Sequence, residues 1–284
     1  MTTLASSRVA VVGTGLIGAS VGLAAKRAVA EQVVGYDADP EALAAAAEGG
    51  AVDAAAESLE EAVDGAELVV VATPVGAIPA CVAGVLAANE RCTVTDVGST
   101  KARICAALAA ETRFVGGHPL SGAESHGPRD ARADMFAGST WLLTPLTETD
   151  PERYRFVHDV VASFGAEPVA IDPVAHDELV ALVSHLPHAL ANLLVNQVGA
   201  ANLAGHDAIT MAGRSFADMT RVAGANSRVW ADIFLDNADT LAGALAEYRL
   251  RIEELGAALR NGDVDALRRS IDEAAANRRR LRPR

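Results

Sequence analysis

The sequence predicts an α/β chain in two parts: a Rossmann-type dinucleotide-binding domain on a mainly parallel sheet, then an all-helical domain. Three observations predict it. A glycine-rich turn, Gly13-Thr14-Gly15-Leu16-Ile17-Gly18, follows the β-branched run Arg8–Val12 and opens a helical stretch. Short β-branched runs then alternate with alanine-rich segments, the rhythm of βαβ units. After Asp172-Pro173 the strand signal nearly vanishes, and Leu, Ala and Val recur at helical spacing.

Strands are expected at Arg8–Val12, Gln32–Tyr36, Leu68–Ala72, Thr93–Asp96, Arg113–Gly116, Thr140–Thr144 and Pro168–Ile171. The run LVVVA is continuously apolar, as a strand of a parallel sheet covered on both faces requires. Helices rich in Ala, Glu and Leu lie between the strands. In the second half helical spacing runs through Leu179–Leu203, Arg228–Leu259 and Val264 to about Arg279, with Asp263 as N-cap of the last. The expected domains are 1–172, binding NAD, and 173–284, helical, serving substrate binding and dimerisation. Its long apolar stripes predict a homodimer through these helices.

A net charge of −13 repels phosphate backbones, so nucleic acid is not an expected partner. The basic tail (Arg278, Arg279, Arg280, Arg282, Arg284) is read as a frayed, solvated terminus. Cys81, Cys92 and Cys105 are odd in number and lack CxxC spacing, which argues against a disulfide framework or structural zinc and for small core residues. No basic segment followed by an apolar run opens the chain, and no uninterrupted apolar stretch is long enough for a bilayer, so a cytoplasmic protein without membrane contact is expected.

The glycine turn predicts its own ligand. Gly13 permits the tight turn out of the strand, Gly15 lets a pyrophosphate approach the backbone, and Gly18 lets the helix, with Leu16 and Ile17 in its first turn, pack on the strand. The phosphates sit at the helix N-terminus, where free N–H groups favour anions. Asp37 ends the second strand, nineteen residues after Gly18. An acid there accepts the ribose hydroxyls of NAD and repels the extra phosphate of NADP. Thr73 and Pro74 follow the third strand and border the cofactor.

Two further segments fall at strand ends on the cofactor side: Asp96–Lys101 (DVGSTK) and Gly116–Glu124 (GGHPLSGAE). Ser99 and His118 are so placed that they face a nicotinamide. His185 and His188 in SHLPH share a helix face, and His176, Asp177 and Glu178 lie nearby in sequence. The spacing is not HExxH and hydride transfer needs no metal, so no metal is expected. The long helix after Asp172 contains no lysine, the only lysines being Lys26 and Lys101, which argues against a β-hydroxyacid dehydrogenase.

The glycine-rich start, DVGSTK, GGHPLSGAE, HDELVALVSHLPH and FADMTRVAGANSRVWADIF, in this order and over almost the whole chain, resemble the prephenate/arogenate dehydrogenases of tyrosine biosynthesis. That family oxidises a cyclohexadienol with loss of its ring carboxylate. The resemblance implies that His118 accepts the hydroxyl proton, that Ser99 orients His118 and touches the nicotinamide side, and that Arg221 grips a substrate carboxylate. It also implies that His188 lines the pocket near the substrate side chain, with Ser184 and His185 supporting the site. Glu124 would stand at the pocket mouth, and Trp230 would wall the pocket or the dimer contact. Arg214 departs from the run of small residues usual before Phe216; it either binds the second carboxylate or points to solvent. The implied reaction is prephenate to 4-hydroxyphenylpyruvate, with arogenate to tyrosine as the alternative. Less favoured are an amino-substituted prephenate and a non-catalytic NAD sensor.

Overall fold

The computed structural model describes residues 7–121, 127–203 and 205–281. Eight strands form one sheet: β1 (Ser7–Val12), β2 (Ala30–Tyr36), β3 (Ala54–Ala55), β4 (Leu68–Val71), β5 (Thr93–Asp96), β6 (Phe114–Pro119), β7 (Thr140–Thr144) and β8 (Glu167–Ala170). Their spatial order is β3-β2-β1-β4-β5-β6-β7-β8. Every pairing is parallel except β6 with β7. The first six strands have the doubly wound order, whose switch point lies between β1 and β4, where such sheets bind dinucleotides.

The crossover helices are α1 (Leu16–Ala28), α2 (Pro40–Glu48), α3 (Leu59–Val63), α4 (Ile78–Ala88), α5 (Ala102–Ala107) and α6 (Pro151–Ser163). Side-chain caps start several of them: Asp39 accepts from Glu41 N, Ser58 from Glu61 N and Asp150 from Glu152 N. Two apolar cores result, one on each sheet face. The first gathers Val9, Val11, Val21 and Val33 with Phe136, Trp141 and Phe164; the second gathers Val69, Val71, Ile78, Val82, Ile104 and Phe114. Cys92 and Cys105 are buried, Cys81 partly so, and all three are free thiols.

The expected strands are all present. β6 runs on to Pro119, beyond the expected Gly116, because antiparallel pairing with β7 supplies partners for Gly116–Pro119. β6 pairs with β5 only at Phe114 and Val115, so the two strands diverge just before His118. The two-residue strand β3 and a small hairpin, Asn202–Leu203 with His206–Asp207, give too little pattern to be read from sequence.

The helical half comprises α7 (Pro173–Val180), a π-helical turn Ala181–His185, α8 (Leu186–Gly199), α9 (Arg214–Thr220), α10 (Ser227–Asp236), α11 (Ala238–Asn261) and α12 (Val264–Arg279). The expected helix Arg228–Leu259 is broken at Asn237, and the one expected to reach Leu203 stops at Gly199. α12 is N-capped by Asp263, whose side chain accepts from Ala266 N. By packing, one compact unit runs through Ala238 and a second starts at Asp239, later than the composition change at Asp172. The reason is that α7 packs on α5 and β7, and α10 packs on the turn Val75–Ala77.

Pro187 lacks the N–H that a continuous helix would direct to Val183, and the π turn just before it absorbs the mismatch. The run Pro173–Gly199 is long and apolar enough, at mean hydropathy 1.4, to pass as a membrane span by composition. Its inward face, however, carries the buried polar side chains His176, Asp177, His185 and His188. Its outward face exposes Val174, Leu179, Leu182, Val183 and Leu193.

Candidate active site

At the switch point the turns after β1 and β4 meet. Gly13 has φ +94°, and a Cβ on it would lie 2.6 Å from the carbonyl of Ala72 and 2.9 Å from Thr73 N, so the turns after β1 and β4 touch there. A Cβ on Gly18 would lie 1.9 Å from Gly13 O. Around Gly15 a Cβ would meet nothing within 4 Å, which leaves open space at the start of α1. Asp37 reaches back across this turn: its Oδ2 accepts from Thr14 N (2.6 Å) and Thr14 Oγ1 (3.1 Å). Thr73 Oγ1 is buried and has no hydrogen-bond partner among the described residues, a donor and acceptor left over beside the glycine turn. An open cradle at a helix N-terminus, a carboxylate at the end of β2 and an orphaned hydroxyl together fit a nicotinamide dinucleotide.

The loop after β5 is fixed from below by a buried carboxylate. Asp96 accepts from Gly98 N (2.8 Å) and Gly117 N (3.0 Å) and is ion-paired with Lys101, both side chains fully buried. The Gly117 bond bridges the gap where β5 and β6 diverge, and so sets the position of His118 next to it. Asp96 and Lys101 were not among the expected site residues; an acid and a lysine five apart at the end of a buried strand were the available signal.

His118 is partly exposed, and its Nδ1 lies 2.9 Å from Nε2 of His176 on α7. His176 is fully buried, and its Nδ1 lies 2.7 Å from Asp177 Oδ1. Asp177 also accepts from Lys101 N (2.7 Å) and Ala102 N (2.9 Å). Burial pushes the Asp177 carboxyl up, but the bonds from His176 and the two amides outweigh it and hold it below the usual carboxylate range. Burial, with His176, Lys101 and His185 nearby, keeps the His118 imidazole well below its ordinary value, so it is neutral at neutral pH. In this structure the side chain hydrogen-bonded to His118 is His176, whereas the sequence expectation gave that task to Ser99. Ser99 lies on the half-buried loop after β5, and among the described residues no hydrogen bond links it to His118.

Beyond Asp177 the network turns to the aromatic wall. Asn237 Nδ2 donates to the Asp177 carbonyl (2.8 Å) and lies 3.3 Å from His185 Nδ1. His185 meets Trp230 edge-on at a ring distance of 6.2 Å, and His188 stacks on Trp230 at 3.5 Å with a 13° interplanar angle. Phe234 stands edge-on to both, 6.1 Å from His188 and 5.5 Å from Trp230. His185 and His188 thus share a face, as expected, and that face is buried against Trp230. Ser184, just before His185, is half-buried. Thr100 Oγ1 donates to Asp236 Oδ2 (2.5 Å), tying the loop after β5 to the end of α10.

Both arginines are exposed, on different turns. Arg221 begins the short turn Arg221–Gly224, which packs against α8, the helix of His188. Arg214 is 95% exposed at the start of α9, with Asp218 one turn on at 3.9 Å, so of its two expected orientations the structure shows the solvent one. Glu124 lies outside the described residues. Among the described residues no cluster of three or more His, Cys, Asp or Glu is arranged to hold a metal ion.

A doubly wound sheet with this glycine turn, and a neutral histidine beyond the C-terminal end of β5, defines a nicotinamide-dependent dehydrogenase. Models of the prephenate dehydrogenase family, described as its nucleotide-binding domain and its dimerization domain, match residues 21–170 and 172–273, and the chain belongs to that family. It is 29% identical to the prephenate dehydrogenase of Bacillus subtilis, over 92% of this chain and 72% of the relative. It is also 29% identical to the cyclohexadienyl dehydrogenase of Zymomonas mobilis, over 96% of both chains. The crystal structure of prephenate dehydrogenase from A. aeolicus in complex with hydroxyphenyl propionate and NAD+ superposes with a TM-score of 0.89 at 29% identity, covering 96% of this chain and 97% of that one. The chain is an NAD-dependent oxidoreductase of this family.

Proposed function

We propose that the chain oxidises prephenate, with loss of the ring carboxylate as carbon dioxide, to 4-hydroxyphenylpyruvate. The observation that carries the reading is the His118 imidazole near the C-terminal end of β6, with its Nδ1 2.9 Å from His176 Nε2. When bound, the nicotinamide supplies the hydride acceptor. His118 takes the proton of the ring hydroxyl and returns it to the phenolic oxygen once the carbon–carboxylate bond has given its electron pair to the ring. The stacked His188–Trp230 pair and Phe234 offer a flat wall for a six-membered ring. Arg221 grips a substrate carboxylate, for which a planar guanidinium is suited. Ser99 touches the nicotinamide side, with Thr73 and Asp37 on the phosphate and ribose side. His185 supports the wall from within.

A second reading, arogenate to tyrosine, rests on a specific observation. The Zymomonas relative is named for the cyclohexadienyl ring, which prephenate and arogenate share, and it matches over nearly its full length. The two substrates differ only in a keto or amino group on the side chain. We also propose that the exposed apolar face of Pro173–Gly199 is covered by a second copy of this chain. The family's name for the matching segment and the side chains Val174, Leu182, Val183 and Leu193 support this. An intracellular, cytoplasmic setting agrees with the three free thiols.

The test is NADH formation with prephenate and with arogenate, for wild type and His118→Ala. The expected outcome is turnover of prephenate by wild type, and a variant that keeps NADH binding but loses at least ~100-fold in kcat. Full turnover by the variant would remove His118 from the chemistry, and turnover of arogenate alone would reverse the substrate order.

A further inference from the structure

The buried pair His176-Asp177 has no part in the site that the sequence outlines, yet it stands directly behind the reacting histidine. A carboxylate can only accept hydrogen bonds. Asp177 Oδ1, 2.7 Å from His176 Nδ1, therefore calls for a proton on that nitrogen. A neutral His176 then carries a lone pair at Nε2. That lone pair faces His118 Nδ1 at 2.9 Å, so His118 must present its own proton there. The consequence falls on the other ring nitrogen: Nε2 of His118 is left without a proton. Asp177 is itself fixed by the amides of Lys101 and Ala102, at the start of α5 in the DVGSTK loop, and its carbonyl accepts from Asn237. The order of donors and acceptors is thus set from α5 outward.

We infer that His176 is a positioning residue which, backed by Asp177, locks His118 in the tautomer with its proton on Nδ1 and its Nε2 lone pair open to the substrate hydroxyl. An unconstrained imidazole favours the opposite tautomer, with the proton on Nε2, where it would block proton acceptance. When His118 takes up the hydroxyl proton it becomes an imidazolium, and the same Nδ1–H to His176 bond is kept and strengthened by the charge. The same ordering logic places an acid behind the base histidine of hydrolytic triads, with a second imidazole interposed here between acid and base. Nothing is consumed: one proton moves from substrate oxygen to His118 Nε2 and later returns.

The inference rests on His118 being the proton acceptor, and the experiment separates the two claims. His176→Leu removes the acceptor, whereas His176→Gln puts an amide oxygen near the place of Nε2. With NAD+ and prephenate, the Leu variant is expected to lose ~10- to 100-fold in kcat, with KM for prephenate and NADH affinity within about threefold of wild type; the Gln variant recovers most of kcat. In 15N-histidine spectra of the NAD-bound protein, His118 is expected as the Nδ1–H form in wild type and the Gln variant, and as the Nε2–H form in the Leu variant. Unchanged kcat in the Leu variant, equal losses in both variants, or spectra showing His176 doubly protonated in wild type would each overturn the inference. If His118→Ala retains full turnover, the acceptor role fails by itself, and the nitrogen spectra still decide whether His176 sets the tautomer.

Discussion

Asn237 and His185 meet in the interior with Nδ2 3.3 Å from Nδ1, and since the same amide nitrogen donates to the Asp177 carbonyl, His185 serves as the acceptor. The imidazole is 1% exposed, and burial, with His176 and His188 adding to it and Asp177 opposing, lowers its pKa to about 4. In the unfolded chain it titrates near 6.5. Between these values the unfolded state binds the extra proton, so His185 costs stability progressively as pH falls from about 6.5 to about 4. His185→Gln keeps an acceptor for Asn237 and removes the titration. Urea unfolding at pH 7 and pH 5 should show wild type losing about 2 kcal/mol more than the variant over that interval. Equal losses would mean that His185 is not held neutral.

His118 answers to the same sign on the activity side. Burial and its neighbours His176, Lys101 and His185 all disfavour its imidazolium. The base form therefore persists to pH values well under the usual histidine range. The profile of kcat/KM for prephenate at saturating NAD+ is expected to stay level from pH 8 down through 6.5 and to fall only below it. An acidic limb centred at or above 6.5 would contradict the neutral, desolvated imidazole.

Much of this site was legible because its parts are local. The glycine turn, Asp37 and the strand-end histidine each follow from a short stretch of chain whose geometry glycine, a β-branched run or a helix start dictates. His176 and Asp177 were visible only as polar residues in an apolar helix, suited on spacing alone to nothing more than a doubtful metal site. Their partners, His118 and the amides of α5, are distant in sequence and come together only when α7 packs on α5. The extension of β6 to Pro119 was hidden for the same reason: its partner strand β7 lies more than twenty residues on. Arg214 shows the converse, a cation in a suggestive segment that a seven-residue helix turns to solvent.

Lys101 illustrates what the interior requires of the loop after β5. Its ammonium and the Asp96 carboxylate are both fully buried and paired. Removing one member of such a pair leaves an uncompensated charge in a low-dielectric setting, which costs about 3–5 kcal/mol. Lys101→Met, close in volume, is expected to lower the unfolding free energy by that amount in urea titrations at pH 7. It should also loosen the Gly98 and Gly117 amides that Asp96 holds, visible as faster hydrogen exchange at Gly117. A variant as stable as wild type would show that Asp96 is satisfied by the backbone alone.

The two arginines give the sharpest test of how the substrate is held. Arg221, itself exposed, opens the turn packed on the helix of His188, and Arg214 extends into solvent beside Asp218. A guanidinium bound to a substrate carboxylate contributes about 1.5–3 kcal/mol, so Arg221→Ala should raise KM for prephenate roughly 10- to 150-fold. Arg214→Ala removes only a long, exposed contact with Asp218, and its KM should stay within about twofold. NADH affinity serves as the control, since neither residue lies near the glycine turn in sequence, and both variants should bind NADH as wild type does. If instead Arg214→Ala raises KM and Arg221→Ala does not, the carboxylate lies against α9, and a second copy of the chain would have to bring that exposed cation into a pocket.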